Sequence, residues 1–75
     1  MLQKNDKVKV IEAIYEEEQQ MIGHTATVTS LQDFDTVCIS FDTFRSEDLH
    51  YGDEENTEGK EKTEWYILTK QLEKI

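Results

Sequence analysis

The sequence predicts an all-β fold, a small five-stranded barrel with a long acidic loop between its third and fourth strands. Three observations carry that expectation. Segments 5–11, 22–31 and 36–42 alternate polar and apolar residues with the period of two that a half-buried strand requires. The polar break Gln32-Asp33-Phe34-Asp35 and the glycine Gly23 fall between or beside these runs, where turns belong. Seventy-five residues with 36% hydrophobic and 33% charged content supply one small core, so residues 1–75 read as a single domain.

Taken in order, the first strand follows the turn-prone pair Asn5-Asp6, and Val8 and Val10 should face inward from it. Residues Glu12 to Gln20 carry four glutamates and two glutamines around Ala13, Ile14 and Tyr15, the composition of a long loop with one irregular turn or a short helix. The second run places Thr25, Thr27 and Thr29 on one face and Ala26 and Val28 on the other. The third puts Val37, Ile39 and Phe41 inward and leaves Cys38 on the opposite, half-exposed face, and the two runs should pair as an antiparallel hairpin. Residues 42–64 then hold nine acids against Arg45, Lys60 and Lys62, a net −6 of the chain's −9. Within this insertion Phe44, Leu49 and Tyr51 are expected to fold back onto the barrel, and 52–62 to form a mobile tip. Trp65 to Leu68 is a strand by β-propensity, Thr69 opens one tight turn, and a last short strand should carry Leu72 and Ile75 inward.

Charge and cysteine usage exclude several classes of function. A net charge of −9 repels phosphate backbones, which argues against direct nucleic-acid binding and favours a protein partner with a basic surface. The single cysteine cannot close an intramolecular disulfide, and no leader resembles a secretion signal, so a cytoplasmic setting is expected. No run approaches the ~20 apolar residues of a membrane helix.

The segments 5–11 and 22–28 are similar to the GDxVxV start and xGxxGxV second strand of KOW-type barrels, and 67–75 to the final strand, turn and strand of SH3 domains. Together with the long first loop and the tight central hairpin, they make the chain resemble an SH3-like β-barrel of the bacterial or phage kind. Asn5 and Ala26 stand where the pattern has glycines. Polyproline-binding SH3 domains carry a proline and a tyrosine in the closing segment, where this chain has Leu68 and Gln71, so the resemblance does not extend to proline-rich ligands.

Candidate chemistry is sparse. His24, Cys38 and His50 lack the spacing of a zinc site, and Asp53 to Glu64 departs from a calcium loop at its glycine and apolar positions, so neither metal nor cofactor is expected. Nothing aligns a nucleophile with a base, and an enzyme is not expected. The better lead is aromatic. Tyr15, Tyr51 and Trp65 fall at loop or strand-start positions, where they can line a shallow patch rimmed by Glu16, Glu17, Glu18, Asp48 and Asp53. The expected function is a small acidic, monomeric protein-binding module, whose type suggests a phage or prophage origin. The alternative is an acidic inhibitor that imitates nucleic acid in the basic groove of a host enzyme.

Overall fold

A computed structural model describes residues 1–51 and 62–75. Strands β1 (Lys7–Val10), β2 (Thr25–Leu31), β3 (Thr36–Phe41), β4 (His50–Tyr51), β5 (Lys62–Leu68) and β6 (Leu72–Lys74) form one antiparallel sheet in the order β4-β5-β3-β2-β1-β6. Two 3₁₀ turns interrupt them, η1 (Glu16–Met21) between β1 and β2 and η2 (Thr69–Gln71) before β6. The sheet is open, with no ladder joining its two edges among the described residues. It has six strands where five are expected, because the two residues of β4, inside the acidic connection, pair with β5.

The alternation read from the sequence determines the core. Val8, Val10, Ala26, Val28, Val37, Ile39 and Phe41 are all buried, and Ile67 and Leu72 join them. Phe44 and Leu49 pack on this cluster from the β3–β4 connection, Phe44 edge-on to Phe41 at 5.0 Å between ring centroids. Tyr51 stays exposed. Ile75 is a correction: it is 59% exposed, because β6 ends at Lys74 and the residue lies beyond the last ladder pair with β1.

Turn chemistry follows from two residues. Asn5 has φ of 78°, the left-handed region that asparagine enters more readily than other side-chain-bearing residues, which explains why it serves where the resembling barrels have glycine. Its N–H donates to Val28 O at 2.7 Å and so fixes the entry to β1 against β2. Gly23 has φ of 92° and lets the chain leave η1 for β2. Just after β3, Asp42 accepts hydrogen bonds from Lys7 Nζ and Thr25 Oγ1, each at 2.8 Å, which joins β1, the start of β2 and the end of β3.

A bulge shifts the β2–β3 register between Val28 and Ser30, and it frees Thr29 Oγ1 to donate to Cys38 O at 3.2 Å. Cys38 itself is buried, which corrects the half-exposed position that strict alternation predicts. Its strand is flanked by β2 and β5, Tyr66 stands directly opposite, and Sγ donates to Glu64 Oε1 at 3.0 Å. Neighbouring side chains therefore cover the outer face of β3 at this point. Burial, reinforced by the Glu64 carboxylate, pushes the thiol up to about 12. At pH 8 only roughly one such thiol in ten thousand is ionised, against about a quarter of free cysteines. Cys38 is therefore expected to react with a thiol reagent about a hundredfold or more slowly in the folded protein than in denaturant; equal rates would place the thiol in solvent.

Candidate functional site

The most polar part of the interior is centred on Glu18, which is 1% exposed and has no ion-pair partner among the described residues. One carboxylate oxygen, Oε1, accepts from Ile14 N–H at 2.9 Å, Tyr15 N–H at 3.1 Å and Gln71 Nε2 at 2.8 Å. The other, Oε2, accepts from Trp65 Nε1 at 2.8 Å. Gln71 is equally committed: its Oε1 accepts from Leu68 N–H at 3.1 Å, and its Nε2 also donates to Glu12 O at 3.1 Å. Burial alone raises the pKa of Glu18, but the four donated hydrogen bonds outweigh it and hold the carboxyl below its ordinary value. The network fastens three segments distant in sequence, the first loop, β5 and η2, into one rigid base.

Above that base lies a groove of about 240 Å³, walled by Ile14 and Tyr15 on the loop side and by Thr36, Tyr66 and Leu68 on the sheet side. Tyr15 is 63% exposed and Tyr66 52% exposed, so two aromatic rings face solvent over a braced floor. The volume falls below the ~300–1,000 Å³ of sites that enclose a drug-sized ligand or cofactor.

The structure places the residues singled out in the sequence unequally. Tyr15 lines the groove, and Glu16 and Glu17 stand exposed beside it on η1. Glu18 is a correction to the expected rim, since its carboxylate turns inward to satisfy the backbone N–H groups at the start of η1. Trp65 is half-buried, packs against the core and meets the loop through Glu18. Tyr51 lies on β4, where Lys62 Nζ sits 5.7 Å from its ring centroid. Asp48 is exposed in a turn and bonded to Ser46, with its N–H donating to Ser46 Oγ at 3.2 Å. Asp53 and most of the calcium-like window lie outside the described residues.

Sequence reasoning missed Ile14, Tyr66, Leu68 and Gln71. A glutamate three residues after Tyr15, at the start of a polar turn, carries the spacing of a capping residue and is the one local signal for Glu18. Among the described residues no three His, Cys, Asp or Glu side chains gather as a metal site, and no helix is long and apolar enough to cross a membrane. Comparison of the chain with family models, with curated proteins and with solved structures finds no match to any of them.

Proposed function

We propose that this protein is a small non-enzymatic binding module of the SH3-like kind, which takes a protein partner with a basic surface at the Ile14, Tyr15 and Tyr66 groove. The observation that carries the reading is the pair of exposed tyrosines held over the Glu18 and Gln71 base. Aromatic anchors at the centre of a patch with charged residues around it are the usual form of a protein interface. Glu16 and Glu17 supply the acidic margin, and the net charge of −9 favours encounter with a basic partner. The long β1–β2 loop, the tight β2–β3 hairpin and the 3₁₀ turn before β6 support the SH3-like reading, with β4 as an addition at the edge.

The test is affinity capture from a bacterial lysate at low and high salt, using the full chain and its variants. Tyr15→Ala and Tyr66→Ala are each expected to weaken the captured complex about tenfold or more, as loss of a central aromatic anchor does. The variant Glu16→Gln/Glu17→Gln should chiefly reduce the dependence on salt. Capture of a basic nucleic-acid enzyme at low salt only, insensitive to both tyrosines but abolished by charge neutralisation, would replace this reading with polyanion mimicry.

A further inference from the structure

A second apolar surface lies at the β2–β3 turn, next to the tyrosine groove, where Asp35 and Thr69 adjoin Thr36 and Leu68. Thr36 and Val37 point to opposite faces of the strand. Thr36 and Ile67 line the tyrosine groove, whereas Val37 lines a separate hollow of about 450 Å³ with Met1, Leu2, Leu31, Phe34 and Thr69. Phe34 is 96% exposed. The turn needs no phenylalanine, since tight connections are built by Gly, Asn, Asp and Ser.

The turn that carries the ring is nonetheless held in place. The N–H groups of Gln32 and Asp33 donate to Thr36 O at 3.0 and 3.3 Å, and Gln32 Nε2 donates to Ser30 Oγ at 2.6 Å. Thr69 N–H donates to Asp35 O at 2.8 Å, which clamps the turn onto η2. Burying a phenylalanine side chain is favourable, and Phe34 realises almost none of that gain within its own chain. An apolar group on a preorganised turn costs no backbone ordering when a partner covers it.

Charge decides which partner. Asp33 and Asp35, both exposed, flank the ring, and among the described residues no lysine or arginine side chain lines the hollow, whose wall also includes Met1. A second copy would set these aspartates against their own kind between molecules that each carry −9.

We propose that this hollow is a second docking surface, whose occupant is a cationic amphipathic segment of another protein. Its aliphatic side chains pack on Phe34, Leu31 and Leu2, and its Lys or Arg side chains pair with Asp33 and Asp35. The protein then has two neighbouring docking hollows of distinct lining.

The test is calorimetric titration of the full chain, in about 0.15 M salt, with a Leu/Lys amphipathic peptide of about 14 residues and with a Ser/Lys peptide of equal charge. The Leu/Lys peptide is expected to bind about tenfold or more tightly than the Ser/Lys peptide, and Phe34→Ser to remove that advantage. Asp33→Asn/Asp35→Asn should weaken binding and flatten its salt dependence, while Tyr15→Ala leaves it unchanged. An exposed Phe34 makes the serine variant safe for folding, which circular dichroism checks. Equal affinity for both peptides, or indifference to Phe34→Ser, overturns the proposal. Loss of binding with Tyr15→Ala or Tyr66→Ala but not with Phe34→Ser also overturns it, and places the peptide in the tyrosine groove, whose reading then stands.

Discussion

Glu18→Ala is expected to lower the stability of the protein by about 3 kcal/mol, because it strips the acceptor from four donors at once. Each buried donor left unsatisfied costs about 1–3 kcal/mol, and relaxation of the loop and of Gln71 recovers part of the total. Native stability near 0.05–0.15 kcal/mol per residue amounts to about 4–11 kcal/mol for a chain of this length, so the variant loses a large share. Thermal unfolding followed by circular dichroism should show a midpoint lower by about 12 °C or more. A loss under about 1 kcal/mol would mean that solvent replaces the carboxylate, and the network would not be the base of the groove.

The same residue sets a pH dependence of known sign. Because the folded pKa of Glu18 lies below its ordinary value of 4.5, its contribution is complete above that value and is lost as pH falls through the lowered one. Asp42, held low by the hydrogen bond from Lys7 and then by that from Thr25, acts in the same direction. In Glu18→Gln the amide presents N–H groups to some of the donors, so the protein is destabilised at neutral pH and loses one source of acid sensitivity. The stability difference between the parent protein and Glu18→Gln should therefore shrink as pH is lowered below 4.5. A difference constant from pH 6 down through that range would show that Glu18 has no lowered pKa.

Ile39→Ala is expected to cost about 3 kcal/mol by a different route. Ile39 is fully buried at the middle of the central strand, with Val28 opposite it on β2 and Trp65 opposite it on β5. Removing three carbons there forfeits their transfer free energy and leaves a void that two flanking strands cannot close, within the range of about 2–5 kcal/mol for such truncations. Ile39→Val should cost only about 1 kcal/mol. Urea unfolding provides the measure, and a midpoint equal for the alanine and valine variants would mean that the site collapses around the smaller side chain.

These two residues differ in how far the sequence announces them. Ile39 belongs to a period-two run whose inward members are each buried as the alternation requires, and local sterics are enough to assign it. Glu18 gives the opposite lesson. It sits among three consecutive glutamates, and composition assigns all three to solvent. Only the first loop's path over β5 and η2 brings Trp65 and Gln71, 47 and 53 residues away, within hydrogen-bonding distance of the last of them.

Local pattern thus determined the all-β class, the inward faces of β1, β2 and β3, the β2–β3 hairpin and the turn before β6, because the interactions responsible act between near neighbours along the chain. It also marked Tyr15 as an exposed aromatic. Tertiary structure decided the rest: the pairing of β4 with β5, the burial of Cys38 beneath Tyr66 and Glu64, the inward turn of Glu18, and the meeting of Tyr15 with Tyr66 across the groove. Each depends on which strands become neighbours, and a buried hydrogen bond gains its strength only after the sheet has excluded water around it.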